Sequence, residues 1–361
     1  MKKVLVLGAT GSIGTNTLDI VRAMPKDFSV CGLSAHSNKE KLEKLCLEFN
    51  CKGVLTSFES KDCINFLIEQ SKPDIVVNGI AGSAGLLPSK TVIEHGIDLA
   101  LANKETVVMA WPLIKDLAKL HNAKIIPVDS EHSAIFNLIN QIGNNNIDSI
   151  LITASGGPFR DFPKEKLETV TVNDALKHPT WNMGKKITID SATLANKGLE
   201  VIEACRLFER PVQKIKVVVH PQSLVHSLVR TNDGMLYAQI SDPTMKHPIF
   251  SALTYPKNQL SPLEPFELFD HEMTFFKPRF DDFPMLKYAY EAAEKENSYT
   301  IAYNAANEIA VEAFLKEKIS FTEIPSIVKS VLDKDWNHKV ESFEDVFEQD
   351  LRARKYAQEE L

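Results

Sequence analysis

Two carboxylates stand two residues apart in Asp129-Ser130-Glu131-His132, directly after the apolar run Lys124–Val128. Carboxylates crowded at one strand end repel unless a proton or cation lies between them, and such oxygen donors suit a hard divalent ion. The same string also suits a helix start, with Asp129 or Ser130 capping a helix that begins near Ser133. A second acidic set lies in Asn196-Lys197-Gly198-Leu199-Glu200-Val201-Ile202-Glu203, where Glu200 and Glu203 are i, i+3 neighbours on one helical face. It reads as a metal site, or as a solvated edge whose Glu200 favours the first-turn dipole. Just upstream, Asp190-Ser191-Ala192-Thr193 together with Asn196 and Lys197 supplies hydroxyl, amide and ammonium donors, a set that suits a phosphate.

Gly8-Ala9-Thr10-Gly11-Ser12-Ile13-Gly14 follows the run Val4–Leu7 and opens a helical pattern over Thr15–Met24. This GxxGxxG spacing is a variant of the dinucleotide fingerprint, in which backbone without Cβ approaches a pyrophosphate at a helix N-terminus; the alternative is a plain tight turn. Roughly 20 residues on, NAD binders place an acid against the ribose. Here Leu33-Ser34-Ala35-His36-Ser37-Asn38-Lys39 has no acid before Glu40. Without that carboxylate a 2′-phosphate is not repelled, and His36, Ser37, Asn38 and Lys39 are donors for it, so NADP is expected over NAD unless the loop is merely solvated.

Three further loops carry chemistry. Ala102-Asn103-Lys104-Glu105-Thr106 ends a fifth strand on the edge where the glycine loop lies, or starts a helix with Glu105 in its first turn. Thr153-Ala154-Ser155-Gly156-Gly157-Pro158-Phe159 can offer N–H groups and Ser155 to an anion, or form a simple turn. His178-Pro179-Thr180-Trp181-Asn182-Met183-Gly184-Lys185 places a large aromatic in a segment broken by Pro and Gly. That is the composition of a lid that excludes water, or of a buried surface turn.

The elements that must position these groups follow from pattern. Short β-branched runs at Val4–Leu7, Val30–Leu33, Lys52–Leu55, Asp74–Asn78, Asp98–Ala102 and Lys124–Val128 alternate with helical stretches such as Lys39–Phe49 and Pro112–His121. Alternation of this kind implies parallel βαβ units. Runs at Ser149–Thr153, Lys186–Ile189, Lys214–Val219, Val225–Arg230 and Met235–Ile240 follow with fewer helices between them, so a mixed sheet with helices on one side is expected. Pro262, Pro265, Pro278 and Pro284 break the segment from Ser261 to Pro284. Helical spacing returns over Met285–Asn297, Thr300–Lys316, Phe321–Leu332 and Phe343–Glu359. The expected fold class is α/β: a Rossmann-like dinucleotide-binding domain over 1-148, a central α+β catalytic and metal domain with a mixed sheet over 149-260, a connecting segment over 261-284 and a C-terminal α-helical bundle over 285-361.

The 361 residues carry 41 Lys+Arg against 48 Asp+Glu, a net charge of -7 with no basic stretch, which argues against nucleic acid or an anionic membrane as partner. No apolar run approaches the ~18–20 residues of a membrane span. Cys31, Cys46, Cys51, Cys63 and Cys205 form no CxxC pair and read as reduced thiols of a cytoplasmic protein. The run Val4–Leu7 leads into a glycine loop rather than a cleavage site, so it reads as a first strand and not as a signal peptide.

In this order the strings GATGSIG, LANKE, PVDSEH, SGGPF, HPTWNMGKKI, DSATLANKGLE and HPQSLVHS, with NAANE at Asn304–Glu308, resemble 1-deoxy-D-xylulose 5-phosphate reductoisomerase from about residue 2 to residue 310. The resemblance implies an NADPH-dependent homodimeric enzyme of the non-mevalonate isoprenoid route, acting on a small phosphorylated sugar. It implies that Asp129, Glu131 and Glu200 bind Mg²⁺ or Mn²⁺, and that Lys104, Ser130 and Glu131 contact the reacting carbon skeleton. Ser155, Ser191, Asn196 and Lys197 would hold the substrate phosphate, with His178 beside it and Trp181 closing over the chain. Thr10, Gly11, Ser12, Ile13, Asn38, Asn103, Glu105 and Gly184 would bind NADPH. One departure is the second-strand loop, often Gly-Lys-Asn in the family and His36-Ser37-Asn38 here. Two other readings are weaker. A dehydrogenase or epimerase of the extended short-chain type needs Tyr four residues before Lys, a spacing that none of the seven tyrosines shows. A non-catalytic NADP-sensing protein would leave the acidic residues and phosphate donors unexplained.

Overall fold

The computed structural model describes residues 1–59 and 62–361, which fold as two units. The first comprises Met1–Thr106, Pro112–Ser133 and Thr244–Phe266. It runs β1 (Lys2–Leu7), α1 (Ser12–Ala23), β2 (Phe28–Ala35), α2 (Lys39–Phe49), β3 (Lys52–Leu55), α3 (Cys63–Ser71), β4 (Ile75–Asn78), α4 (Leu86–Glu94), β5 (Asp98–Leu101), α5 (Lys104–Leu120) and β6 (Ile125–Pro127). The strands form one parallel sheet in the order β3-β2-β1-β4-β5-β6, whose carboxyl edge is where dinucleotide sites lie. Val4 to Leu7 of central β1 are wholly buried, each worth roughly 1.5–3 kcal/mol of burial. The continuous rather than alternating apolar run is what a strand covered on both faces requires.

The second unit comprises Val107–Trp111, Ala134–Pro243 and Glu267–Leu361. After α6 (Ser130–Ile142) come β7 (Ile147–Ala154), α7 (Val172–Ala175), α8 (Lys185–Ala192), α9 (Ala195–Leu207), β8 (Ile215–Val219), β9 (Val225–Thr231) and β10 (Leu236–Ile240). The sheet order is β10-β9-β7-β8, with β7 and β8 parallel and the other pairs antiparallel, the mixed sheet expected. Next, α10 (Lys246–Thr254) returns to the first unit, where Lys246 pairs with Asp19 of α1 at 3.0 Å and Leu253 O accepts from Lys2 Nζ at 2.8 Å. Within the second unit, α11 (Met285–Lys295), α12 (Tyr299–Leu315), α13 (Glu323–Leu332) and α14 (Phe343–Glu359) share one apolar core with α8 and α9.

Several elements differ from the sequence expectations. Lys186–Ile189, expected as a strand, lies inside helix α8. Four residues of alternating Ile and polar character cannot separate period 2 from period 3.6. The helix is set by extended Gly184 at its start, by Thr188 Oγ1 donating to Gly184 O at 2.9 Å and by an i, i+4 pair of Lys186 with Asp190 at 2.9 Å. Helix α6 starts at Ser130, three residues before the expected start near Ser133. Helix α5 reaches back from Pro112 to Lys104 across a kink at Ala110. Helices α3, α4 and α10 were not anticipated.

The kink has a chemical cause and a chemical answer. Pro112 has no N–H for the carbonyl one turn back and its ring crowds that turn. Arg206, buried on α9, donates through Nη1 to the Val107 and Val108 carbonyls and through Nη2 to Thr300 Oγ1. Burial pulls its guanidinium down to about 10, so it stays charged at neutral pH. Replacing Arg206 by Met strands buried carbonyls, so stability is expected to fall by about 2 kcal/mol, with a midpoint several degrees lower in thermal unfolding. Arg206→Lys should recover part of the loss. An unchanged midpoint in Arg206→Met would contradict this account of the kink.

Candidate active site

Register brings two of the loops together. β5 and β6 pair in parallel with Leu101 opposite Pro127, so residues just beyond each strand face one another. Lys104 Nζ lies 2.7 Å from Asp129 Oδ2, with only 6% and 11% of the two side chains exposed. His132, wholly buried one turn into α6, places Nδ1 3.2 Å from Asp129 Oδ1. Burial by itself would raise the Asp129 carboxyl, but the Lys104 ammonium and the His132 ring outweigh it and hold the group well below the usual carboxylate range. Asp129 is thus an ionised carboxylate kept inside the protein. Next to it, Ser130 Oγ donates to Glu131 Oε2 at 2.5 Å.

Asn103 is the N-cap of α5, its Oδ1 accepting from Thr106 N at 2.9 Å. Its Nδ2 donates to Ile80 O and Gly82 O, both at 2.8 Å, and to Glu105 Oε2 at 3.0 Å. Behind it, Asn78 Nδ2 donates to Ser89 Oγ at 2.8 Å, and Ser89 meets Thr106 at 3.1 Å. Asn103 and Glu105 are therefore anchored through buried polar groups at the end of β4.

In the glycine loop each residue has its own task. A Cβ on Gly14 would stand 2.4 Å from Gly8 O, so only glycine lets α1 pack against the loop, whereas Gly11 has nothing closer than 3.4 Å. Gly11 caps α1 and, with Ser12, faces solvent, while Thr10 and Ile13 are half-buried. Asn38 Oδ1 caps α2 by accepting from Lys41 N at 3.1 Å.

In the second unit, α8 and the loop after β7 converge. A Cβ on Gly157, whose φ is +70°, would meet Ser191 O at 2.7 Å, so glycine is what lets the Ser155 loop approach α8. His178 Nε2 lies 3.0 Å from Ser155 Oγ and 3.1 Å from Ser191 Oγ, and its Nδ1 accepts from the N–H groups of Thr180 and Trp181 at 3.1 and 2.9 Å. A ring nitrogen accepting two N–H bonds carries no proton, so Nε2 carries it and donates to the serine oxygens. Both hydroxyls can then aim their own protons at an anion. Burial, helped by the Arg160 charge, pushes His178 down to about 4. Trp181 sits edge-on to His226 with ring centroids 6.3 Å apart. Gly184 caps α8.

One turn further, Leu194 turns the chain from α8 into α9 in the left-handed region, at φ 62°, held there by its buried side chain. On α9, Asn196 Nδ2 donates to Glu200 Oε1 at 2.5 Å and Lys197 pairs with the other carboxylate oxygen, both Lys197 and Glu200 being buried. Glu203 is buried as well, so the solvated-edge reading of this face is excluded.

Asn103, Asp129 and Glu200 are therefore each held by buried polar partners. Comparison with known proteins covers nearly the whole length. Family models described as DXP reductoisomerase and its C-terminal domains match residues 4–63, 55–111, 125–208 and 240–356. The 1-deoxy-D-xylulose 5-phosphate reductoisomerase of Treponema denticola is 52% identical, covering 99% of this chain and 96% of its own, and that of Treponema pallidum is 46% identical with the same coverage. The chain belongs to the 1-deoxy-D-xylulose 5-phosphate reductoisomerase family. Among solved structures, a DOX-P reductoisomerase in complex with NADPH, fosmidomycin and magnesium matches with TM-score 0.92 and 37% identity over 100% of this chain and 98% of that one. The Zymomonas mobilis reductoisomerase in complex with NADPH matches with TM-score 0.88 and 38% identity over 99% and 98%.

Some positioning residues of this chain carry no signal of their own in the sequence. His132 was legible only as part of the PVDSEH string, and its grip on Asp129 appears once α6 is seen to start at Ser130. Asn307 of the NAANE segment donates to Asp190 Oδ1 at 2.8 Å from α12, beneath Ser191. Asn78, Ser89 and Thr106 are plain core positions until Asn103 is placed above them.

The His178 geometry makes a prediction about pH. Its folded value of about 4 lies below the ordinary 6.5, so the unfolded chain takes up the proton first. The ring contributes stability above about pH 6.5 that is lost as pH falls toward 4. In an NMR titration His178 should show a midpoint near 4 and the Nε2–H tautomer throughout the neutral range; a midpoint near 6.5 would contradict the assignment.

Proposed function

We propose that this chain converts 1-deoxy-D-xylulose 5-phosphate into 2-C-methyl-D-erythritol 4-phosphate, by rearranging the carbon skeleton and reducing the resulting aldehyde with NADPH in the presence of Mg²⁺ or Mn²⁺. The observation that carries this reading is the full-length likeness to curated reductoisomerases, 52% identical over 99% of the chain, in a chain that keeps the acidic residues, the phosphate donors and the glycine loop.

The residues fit both groups. Asp129, Glu131 and Glu200 offer carboxylate oxygens only, the donor set of a hard divalent cation, and Asp129 is held ionised. The ion supplies Lewis acidity to the ketone and hydroxyl oxygens of the substrate. Thr10, Gly11, Ser12, Ile13, Asn38, Asn103, Glu105 and Gly184 would hold the cofactor. The cofactor supplies the hydride.

The remaining work belongs to side chains. Ser155 and Ser191, oriented by neutral His178, donate to the substrate phosphate together with Asn196 and Lys197. Because this phosphate does not react, its binding energy orders the site and places the reacting atoms. Lys104 adds a positive donor beside the developing oxyanion, Ser130 and Glu131 contact the carbon skeleton, and Trp181 covers the chain to exclude water.

We further infer a homodimer and a cytoplasmic enzyme. Edge strand β10 shows Leu236, Tyr237 and Ile240 at 46%, 43% and 40% exposure, and an open apolar edge asks for a partner; a second copy supplies it. The five cysteines are free thiols, the state expected in a reducing compartment. Among the described residues no helix is long and apolar enough to cross a membrane.

Two measurements check these statements. NADPH absorbance should fall with deoxyxylulose phosphate only when a divalent cation is present, and Glu131→Gln should slow it at least about a hundredfold; metal-independent oxidation would refute the reading. Sedimentation velocity should show a dimer that Leu236→Lys with Ile240→Lys converts to monomer. A dimer that survives both changes would move the interface elsewhere.

A further inference from the structure

The loop after β2 departs from the expected pattern by lacking the lysine before Asn38. Lys39, the nearest cation in sequence, does not replace it: its Nζ lies 3.7 Å from Glu43 and its side chain is 70% exposed, along the solvent side of α2. Lys41 takes the opposite direction. Asn38 caps α2 through Lys41 N, and this fixes the turn from which the Lys41 side chain reaches back to donate from Nζ to Thr10 O at 2.9 Å. Thr10 belongs to the glycine loop, so the ammonium stands between that loop and the end of β2. The loop itself is tied down, with Ser57 Oγ donating to the His36 carbonyl and Thr56 Oγ1 3.2 Å from His36 Nδ1.

In a parallel sheet of this order the pyrophosphate lies over the glycine loop and the adenosine ribose at the end of β2. We propose that Lys41 is the residue that recognises the ribose 2′-phosphate and so selects NADPH over NADH in this chain. An ammonium has three donors, and the Thr10 carbonyl takes one. A phosphate entering beside the glycine loop meets the others.

This inference rests on the NADPH reading above, and the test separates the two. Binding of 2′,5′-ADP and of 5′-AMP is measured by calorimetry on the full chain, without substrate or metal. Wild type should prefer 2′,5′-ADP. Lys41→Gln should reduce that preference at least about tenfold, the size of one charge-assisted hydrogen bond, with 5′-AMP affinity unchanged, and Lys41→Arg should retain it. If Lys41→Gln keeps the full preference, the assignment to Lys41 is wrong while the NADPH reading stands. If Lys41→Gln loses 5′-AMP binding equally, Lys41 only supports the glycine loop and the assignment is again wrong. If wild type shows no preference, the NADPH reading itself fails.

Discussion

The candidate site depends on one carboxylate remaining ionised where burial favours its protonation. Asp129 sits at the end of β6 with 11% of its side chain exposed, and Lys104 at 2.7 Å and His132 at 3.2 Å keep it charged. The pairing is a consequence of topology. Adjacent parallel strands in register at Leu101 and Pro127 deliver the residues that follow them to the same place, and helices α5 and α6 begin there. Removing Lys104 would leave the buried Asp129 charge without its paired cation, which is far more costly than the pair is favourable. On the proposed function Asp129, Glu131 and Glu200 would serve as ligands of a divalent cation, and part of the net charge of -7 would then be a requirement of the chemistry rather than a property of the surface.

The phosphate donors are managed in the opposite way. His178 is kept neutral, by burial and by two backbone N–H groups on Nδ1, so it orders two serine hydroxyls without adding charge of its own. Positive charge there comes from Arg160, which acts on His178, and from Lys197, buried on α9 and already paired with Glu200. On the proposed function the chain would meet anions with oriented dipoles and a few local cations, which is how an acidic protein can bind a sugar phosphate and a dinucleotide without a basic surface.

The parallel sheet was legible because buried strands of a βαβ array are short, apolar and spaced by helices, and all six were placed within two residues or so of their observed ends. The glycine loop, the Asp129 string and the phosphate donors were legible because chemistry demands unusual residues in tight spacing. What failed was local ambiguity: Lys186–Ile189 is too short for its period to be read, and Pro112 marks a kink rather than the start of α5. Positioning residues such as Arg206, His132 and Asn307 act through contacts distant in sequence or across a helical turn, and no local pattern announces them. Of the four donors expected for the 2′-phosphate, His36, Ser37, Asn38 and Lys39, helical geometry sends Lys39 to Glu43, while Lys41 reaches the glycine loop.

On the proposed function Asp129, Glu131 and Glu200 would each be a carboxylate ligand of a hard divalent ion. Titration of the full chain with Mn²⁺, followed by the loss of the free-ion electron paramagnetic resonance signal, tests it without reference to turnover. The account predicts one bound ion per chain in wild type and none at the same concentrations in Asp129→Asn or Glu200→Gln. Undiminished Mn²⁺ binding in both variants would contradict it.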